Sequence, residues 1–571
     1  MKQLIPILII VVILELTLQQ CANPLRPTGG PKDTIPPTLL LSDPVDQTIN
    51  YKGKEMRFYF DEFINADKLR QKLIITPYTE IKYKHIIKKR DLILRFEEPF
   101  ADSTTYTFNF FDGLTDITER NPAENFILAF STGSYIDSLR VIGSVRDLYT
   151  DKPIKKATVG LYEITDTLDI FQEKPYYFVT SSENGSFEIK NIKYGKYMLL
   201  AFSDDNNNLK LDEASEAYAF KRDTIQPSTD PDSIRLYQYQ LDASQLNFIS
   251  ARPSGKYFDA RYSKEILKYT ATPLDSLSII YHALSAEKDA IKFYPEETIQ
   301  STDSIGVILN SSDTIKNTST DTVYVKFRES SRKPVAFNTK LTPQQGSHID
   351  FNTRYRFISN KPILLIDTSS LTYSFDTLYK YPLPIKNVSF NHNRTEVSFQ
   401  SEMDQKTYQD TLEAMLARYL PDTSNIDSAR LLIYRNLSTI PKDKVLLNFK
   451  KGTIISVDYD SIKNTTQMYK YITPENYGVI TVLINTEHTS YTVQLIDKGG
   501  NVSAQARNCT TCKFNTIKPG SYSVRILLDE NQNRKWDIGN IRKYVEPEPI
   551  IHFPEQSELR ANWTLELEYT F

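Results

Sequence analysis

The sequence has few of the residues, and none of the motifs, around which common enzyme sites are built. It contains three cysteines and six histidines among 571 residues, and no two histidines have the spacing of a metal-ligand pair. The G-x-S-x-G elbow, the H-E-x-x-H zinc motif, the phosphate-binding glycine loop and the dinucleotide glycine fingerprint are all missing. A catalytic site would have to be assembled from scattered carboxylates, as in glycoside hydrolases, and a sequence does not reveal such a site.

Two further shortages narrow the class of protein. An excess of positive charge is missing, because 68 Lys and Arg face 71 Asp and Glu along the chain, and this argues against a nucleic-acid partner. Glycine is scarce at 18 residues, whereas 36 Tyr and 29 Phe give the chain a β-rich composition. A chain of this length exceeds one hydrophobic core, so about four to six domains are expected.

The N-terminus has the pattern of an export signal followed by an acylated cysteine. Lys2 precedes an apolar run of eleven residues, Leu4 to Leu14, whereas a bilayer-spanning helix needs about 20. Past this run no long apolar stretch occurs, so no transmembrane helix is predicted. A charged start and a short apolar core indicate a signal peptide over 1–20. We predict that the mature chain starts at a lipidated Cys21 and continues in a proline-rich tether, 21–36.

The signal departs from the usual lipoprotein pattern at two positions. Gln20 stands where a small residue normally precedes the cysteine, and Glu15 interrupts the apolar segment. The alternative interpretation is an ordinary cleaved signal with a coincidental cysteine. Because one lipid chain binds a membrane only marginally, firm anchoring requires several acyl chains on Cys21.

Residues 37–134 show short alternating strands separated by turn residues, a pattern typical of a β-sandwich. The ordered motifs are Pro36-Pro37-Thr38, Ser42-Asp43-Pro44, Phe60-Asp61-Glu62, Ile75-Thr76-Pro77, Thr105-Tyr106-Thr107-Phe108 and Phe130-Ser131-Thr132-Gly133. They resemble the bacterial Ig-like domain first described in surface-layer proteins. With the preceding Cys21 segment, the region is similar to the start of a Bacteroidota outer-membrane lipoprotein family. The resemblance implies a fold and an envelope location without catalytic residues, and Asp61 and Glu62 are interpreted as a strand end.

Residues 138–242 contain a second set of strand patterns. Asn184-Gly185 predicts a tight hairpin between Tyr177–Ser181 and Phe187–Ile189. The segment resembles the transthyretin-like module that occurs as the regulatory domain of carboxypeptidases and in bacterial surface proteins. That resemblance implies a seven-stranded sandwich that is not itself an enzyme.

The same pattern recurs at the other end of the chain. The series Phe187, Ile192-Lys193, Gly195, Tyr197 returns as Phe514, Ile517-Lys518, Gly520, Tyr522. Nine positions separate the glycine from the next aspartate in both series, and D-x-N-x-N-x-x-x-D follows in both. We therefore predict a second transthyretin-like module over 476–571.

The two acidic loops are candidate calcium sites. Their oxygen-bearing residues are Asp204, Asn206, Asn208 and Asp212 in the first loop and Asp529, Asn531, Asn533 and Asp537 in the second. Oxygen ligands at positions 1, 3, 5 and 9 match the first part of a Ca²⁺ loop. Position 6 is Leu209 or Arg534 instead of glycine, and position 12 is Ser215 or Asn540 instead of glutamate. The alternative interpretation, which these departures favour, is a metal-free turn built by Asp and Asn.

Cys509 and Cys512 form a C-x-x-C pair between two predicted strands. In an exported chain such a pair is more often a structural disulfide than a redox centre. Free thiols, and a metal or redox role, remain as alternatives.

The middle of the chain predicts two more sandwiches, 245–335 and an Ig-like unit at 336–475. One helix is predicted at 403–420, since an apolar face recurs at steps of three and four and Pro421 follows. The residues of that face are Tyr408, Leu412, Met415, Leu416 and Tyr419. Packing on its own domain is the interpretation we favour for the face, with partner binding as the alternative.

The sequence thus predicts an all-β chain of tandem sandwiches with one short helix in the middle region. We expect a non-enzymatic lipoprotein of the outer membrane that acts as a structural or interaction subunit with β-barrel or other envelope proteins. An accessory role in barrel assembly or secretion is an analogy only. The alternatives are a glycan- or ligand-binding surface protein and, third, a hydrolase with carboxylates in the middle region. Lipoproteins exported to the cell surface in this phylum often have acidic residues just after the lipidated cysteine. Segment 22–26 contains none, so we favour the periplasmic side of the outer membrane.

Overall fold

A computed structural model describes residues 33–123, 126–275, 280–295, 304–375, 380–419, 444–472 and 474–571. The predicted signal, Cys21 and most of the tether lie outside these ranges. The regular secondary structure of the described residues is almost all β-strand, with two α-helices, and the all-β tandem-sandwich prediction is confirmed. None of the helices in these ranges is long and apolar enough to cross a membrane. The chain divides into two compact units, one of residues up to 145, 153–211 and 223–236, the other of 146–152, 212–222 and 237–571.

The first domain is a sandwich around an aromatic core. Its elements are β1 Leu39–Asp43, β2 Glu55–Phe60, β3 Ile64–Asn65, α1 Leu69–Lys72, β4 Ile74–Thr76, β5 Tyr83–Lys88, β6 Asp91–Phe96, β7 Thr105–Asn109, β8 Thr115–Asp116 and β9 Ile127–Ser131. One sheet has the order β1-β2-β6-β5 and the other β4-β7-β9. Alternation along β2 turns Met56, Phe58 and Phe60 into the core. Phe58 meets Phe110 edge to face, with 5.2 Å between ring centroids.

The second module has seven strands. They are β10 Leu139–Asp147, β11 Thr158–Glu163, β12 Tyr177–Thr180, β13 Ser186–Ile192, β14 Tyr197–Phe202, β15 Ala217–Phe220 and β16 Ile234–Gln240. β11 pairs with both β12 and β14, and β10 pairs with β13. The predicted hairpin is therefore wrong in its pairing. Asn184-Gly185 does make the tight turn, with Gly185 at φ +78°, but β12 and β13 pair with different strands because long-range packing selects their partners.

The third module consists of two sheets. Its strands are β17 Phe248–Ser254, β18 Tyr257–Tyr262, β19 Lys268–Pro273, β20 Tyr281–Leu284, β21 Ala290–Tyr294, β22 Ile305–Ser312 and β23 Thr318–Val325. The sheet orders are β17-β18-β21-β20 and β19-β22-β23. Phe258, Phe293, Leu309 and Val323 are among the side chains buried between them. The run Leu277-Ser278-Ile279-Ile280-Tyr281 also predicts a strand, but it falls largely outside the described ranges, and only its last residue begins β20.

The fourth module carries the longer helix. Its elements are β24 Thr339–Thr342, β25 His348–Ile349, β26 Arg354–Ser359, β27 Ile363–Ile366, β28 Leu371–Ser374, β29 Tyr381–Pro382, β30 Ile385–Phe390, β31 Glu396–Ser401, α2 Gln405–Tyr419, β32 Lys444–Phe449, β33 Ile454–Ser456 and β34 Thr465–Tyr471. Tyr408 and Leu412 of α2 are buried in this module's own core. The other three residues of the predicted apolar face have side chains outside the described set. The face therefore packs on its own domain at the two positions that are described.

The last module has seven strands as well. They are β35 Gly478–Asn485, β36 Tyr491–Asp497, β37 Val502–Arg507, β38 Thr511–Ile517, β39 Gly520–Leu528, β40 Ile550–Leu559 and β41 Thr564–Thr570. The pairs β36-β37, β36-β39 and β35-β38 repeat β11-β12, β11-β14 and β10-β13 of the second module. Tyr197 Oη donates to the carbonyl of Lys193 at 3.0 Å, and Tyr522 Oη donates to that of Lys518 at 2.8 Å. The repeated sequence thus forms the same strand pairs and the same tyrosine hydrogen bond twice.

Candidate interaction sites

Asp61 and Glu62 lie just beyond the end of β2. An oxygen of Asp61 accepts a hydrogen bond from the backbone N–H of Thr38 at 2.8 Å, which fixes the chain as it enters the first domain. Burial and the nearby carboxylates of Asp116 and Asp61 raise the pKa of Glu62. The fully buried Asp116 accepts backbone N–H bonds from Glu119, Arg120 and Asn121. Asp61 and Asp116 thus hold loops in place by accepting hydrogen bonds from backbone N–H groups.

The first acidic loop turns its oxygens onto its own backbone. Asp204 accepts from the N–H groups of Asn208 at 2.9 Å and Leu209 at 3.0 Å. Asn206 also accepts from Asn208 N, at 3.0 Å. Leu209 has φ +59°, the left-handed conformation for which a Ca²⁺ loop uses glycine. Asp212 accepts from Ala214 N at 3.0 Å.

The second loop repeats these bonds and adds charged partners. Asp529 accepts from Asn533 N at 3.0 Å and Arg534 N at 2.9 Å, and Arg534 has φ +69°. Asp537 accepts from Asn531 Nδ2 at 2.8 Å and from Lys316 Nζ at 2.7 Å. No group of three His, Cys, Asp or Glu side chains that could hold a metal ion occurs in the described part of the chain. The ammonium beside Asp537 and the backbone bonds favour the turn interpretation, and calcium binding stays a prediction.

Cys509 and Cys512 are joined by a disulfide across the turn before β38. Cys512 is buried in the core of the last module, and Cys509 packs against that core. Tyr491 Oη donates to the carbonyl of Cys509 at 3.2 Å. The pair therefore closes a turn at the rim of a sandwich.

A buried ion cluster joins the third and fourth modules. Lys361 Nζ lies 2.8 Å from Asp458 Oδ2 and 2.7 Å from Asp460 Oδ2. Lys256 Nζ, at the tip of the β17–β18 hairpin, lies 2.7 Å from Asp458 Oδ1, and Tyr257 Oη also donates to Asp458. Burial by itself raises the pKa of Asp458, but the hydrogen bonds from the two lysines and Tyr257 outweigh it, and the pKa is lowered.

The last module is fixed to other residues of the same compact unit by polar contacts. Asn540 Nδ2 donates to Ile315 O at 2.7 Å. Arg542 donates to Ala243 O and pairs with Glu213. Three further contacts, each of 3.0 Å, fix the module: an ion pair between Lys221 and Glu546, a hydrogen bond from Arg525 to Tyr149 O, and a contact of His552 Nε2 with Leu148 O. The module is therefore held by side chains that bond to backbone carbonyls and by two ion pairs.

A groove of about 740 Å³ runs beside β19, β22 and the loop after β30. Its polar lining consists mainly of hydroxyl and amide side chains, among them Thr270, Asn310 and Asn393, with Tyr269 at one wall. Tyr269 Oη lies 2.9 Å from Nδ1 of the buried His282. Burial and the neighbouring His392 lower the pKa of His282 to about 4. The ring is therefore neutral near pH 7, and Nδ1 is able to accept a hydrogen bond from the hydroxyl of Tyr269.

Sequence reasoning missed the ion cluster because its members are far apart in the chain. Lys256, Lys361 and Asp458 share no local motif that would point to a cluster. The same holds for His282 and His392, whose ring centroids lie 6.1 Å apart. Knowledge of which loops meet would have been needed to find either group.

Residues 33–132 match the family model of a bacterial Ig-like domain, which confirms the resemblance drawn from the first domain. No curated protein matches the chain. Among solved structures, the S-layer protein SbsC is similar at 10% identity and a TM-score of 0.14 over 86% of this chain and 64% of that one. The Bacillus anthracis TIE protein is similar at 8% identity and a TM-score of 0.12, over 95% and 75%. The Bacillus cereus major pilin subunit BcpA is similar at 11% identity and a TM-score of 0.12, over 76% and 99%.

Proposed function

We propose that the chain is a non-enzymatic, lipid-anchored envelope protein that acts as a structural or interaction subunit of an outer-membrane protein assembly. The observation that carries the proposal is the fixation of its modules to one another. Within the larger compact unit, Asp458 is bound by lysines from two modules, and Arg542 and Asn540 bond to backbone carbonyls of other modules. Fixed spacing between modules is what a scaffold requires and what a flexible linker between independent domains does not provide.

The anchor follows from the N-terminal sequence. Acyl chains on Cys21 would insert into the membrane, and residues 21–36 would extend at most about 58 Å before the first sandwich. The first domain would therefore stay near the membrane surface. Because residues 22–26 include no aspartate or glutamate, we favour the periplasmic side of the membrane.

The first domain offers a contact surface for another protein. β1 is an edge strand, and Leu40, Leu41 and Val45 are exposed at 53%, 70% and 66% of their surface. Unpaired strand edges and exposed apolar side chains are features of protein-binding surfaces. An envelope protein that pairs with this edge would bury them.

The test is purification of the chain from detergent-solubilised membranes after chemical crosslinking in cells. We expect defined envelope proteins to co-purify, and we expect Leu41→Glu/Val45→Glu to reduce their recovery at least fivefold. Leu274→Glu/Val335→Glu is the matched control, since both residues are also exposed. Recovery of the chain alone, or equal loss in both variants, would count against an interaction subunit that uses this edge.

The groove beside Tyr269 supports a second candidate, a glycan-binding protein. Sugar recognition uses hydroxyl and amide side chains beside an aromatic ring, and this lining supplies all three. Its lining residues include no aspartate or glutamate, so the groove does not offer the two carboxylates that the hydrolase hypothesis requires. A glycan array with the full chain and with Asn310→Ala/Asn393→Ala tests the candidate, and an array without any binding argues against it.

A further inference from the structure

An arginine-lined cavity lies on the third module. It encloses about 490 Å³, and its charged lining consists of Arg252, Arg261, Arg328, Arg332 and Asp259. Four guanidinium groups thus face one carboxylate, although the whole chain has a net charge of -3. Like charges repel unless a counter-ion or an oppositely charged ligand compensates them.

Backbone register places two of the arginines on one face of the β17–β18 hairpin. Arg252 is opposite Asp259, and Ser250 is opposite Arg261, and side chains of residues two apart share a face of a strand. The hairpin turns at Gly255, whose φ is +65°. A β-carbon built at Gly255 would lie 3.8 Å from Cδ of Arg332, so the side chain of Arg332 lies beside the turn.

Only part of this positive charge is neutralised within the protein. Asp259 lies 2.6 Å from Lys292 Nζ, and Arg261 Nη1 lies 2.7 Å from Asp289. The one carboxylate of the lining, Asp259, is therefore already paired with Lys292, a cation in addition to the four arginines. Arg252, Arg328 and Arg332 form no ion pair with any residue in the described ranges. The cavity keeps an excess of at least three positive charges with their donor groups available.

We propose that this cavity binds phosphate groups. The planar guanidinium presents paired N–H donors that match two phosphate oxygens, and arginine is the usual residue for such recognition. Three unpaired guanidiniums around one concavity can contact a phosphate from several sides, and the hydroxyls of Ser250 and Ser254 line the same cavity. The phosphate comes from a membrane lipid headgroup or from a soluble phosphate compound. The inference is independent of the proposed scaffold function.

The first arm of the test uses a soluble probe. Isothermal titration calorimetry measures binding of inorganic pyrophosphate to the full chain carrying Cys21→Ser, so that no acyl chain contributes. Arg252→Gln/Arg332→Gln is expected to weaken binding at least tenfold, and the affinity should fall as salt is raised. Arg70→Gln/Arg235→Gln is the matched control, because both arginines are exposed and the charge change is the same. We expect the control to bind within twofold of the parent.

The second arm uses vesicles. The same three proteins are sedimented with phosphatidylcholine vesicles that contain or lack phosphatidylglycerol, at about one anionic lipid in three. Binding to the anionic vesicles but not to pyrophosphate identifies a headgroup site, and the reverse identifies a soluble ligand. Binding of neither probe overturns the proposal. So does binding of either probe that Arg252→Gln/Arg332→Gln leaves unchanged while its thermal unfolding matches that of the parent.

Discussion

Lys361 Nζ lies 2.8 Å from Asp458 Oδ2 at the junction of the third and fourth modules, and the two side chains are 2% and 4% exposed. Lys256 and Tyr257 reach the same carboxylate from the third module. Removal of a charge from water has a large desolvation free energy, which only a nearby opposite charge offsets, so each of these buried groups requires the other. Because Lys256 and Tyr257 of the third module bind the same Asp458 as Lys361 of the fourth, we expect the stability of this junction to depend on both modules.

Lys361→Met should destabilise the junction by about 1.5 to 3 kcal/mol, the range for loss of a hydrogen bond to a charged group, since Asp458 loses Lys361 but keeps Lys256 and Tyr257. Hydrogen exchange of the peptides that contain β27 and β33 measures the local free energy of opening. Lys52→Met is the control, because Lys52 pairs with Asp102 at the exposed surface and such pairs contribute about 0 to 1 kcal/mol. Equal small losses in the two variants would show that the Lys361 pair is solvated.

Stability around His282 should fall with acid. Burial holds the folded-state pKa near 4 against an ordinary value of 6.5. The folded state therefore resists protonation that the unfolded chain accepts. The contribution is fully present above pH 6.5 and is lost as the pH drops towards 4, by about 3 kcal/mol in total.

Hydrogen exchange of the β20–β21 peptides at pH 7 and at pH 4.5, corrected for intrinsic rates, measures this loss. His282→Gln should remove most of the pH dependence, because its amide is neutral and its oxygen still accepts from Tyr269. His348→Gln is the control at an exposed histidine. A pH dependence that His282→Gln leaves intact would assign it to other groups.

Asn540→Ala/Arg542→Ala should release the last module from its neighbours. Both side chains bond to carbonyls of residues 243 and 315, so their loss leaves these groups without partners. We expect limited proteolysis to liberate a fragment that starts near residue 475 at least tenfold faster than in the parent. Lys535→Ala/Arg560→Ala is the control in the same module, and an unchanged cleavage rate in the first variant would mean that the docking contacts carry no stability.

Reduction of the Cys509–Cys512 disulfide should destabilise the last module by only about 2 kcal/mol, because the closed loop is short. Because Cys512 is buried, alkylation is carried out in denaturant; without reductant it should leave both cysteines unmodified, and after reduction it should label both. Urea unfolding of oxidised and reduced protein gives the difference in free energy. Ready alkylation of both residues without reductant would show free thiols instead.

Local sequence patterns were sufficient to predict where strands form but not which strands pair with one another. Alternation in Met56 to Phe60 predicts β2 because side chains two apart share a face, and the repeated Gly-Tyr-Asp spacing predicts the two related modules. Asn184-Gly185 predicts its turn correctly, since a tight turn depends on the residues within it. The strands on either side pair elsewhere, because the burial of Phe178 and Phe187 in the assembled sandwich decides the pairing.

The sites that join modules depend on contacts that no local pattern encodes. Lys361 follows Asn360 in a polar loop that looks like many exposed loops, and only the approach of Asp458 and Lys256 explains its burial. Arg252 and Arg332 are separated by most of a module and meet because the hairpin turns at Gly255. The sequence therefore predicts what kind of module forms, while the junctions and the arginine cavity require the tertiary structure.

The most direct test of the account is mass spectrometry of the N-terminal peptide of the mature protein from purified membranes. The account predicts that this peptide begins at Cys21 and carries a glyceryl group with several acyl chains, and that the protein sediments with the outer membrane. An unmodified N-terminus at another residue, with the protein free in the medium, would contradict it.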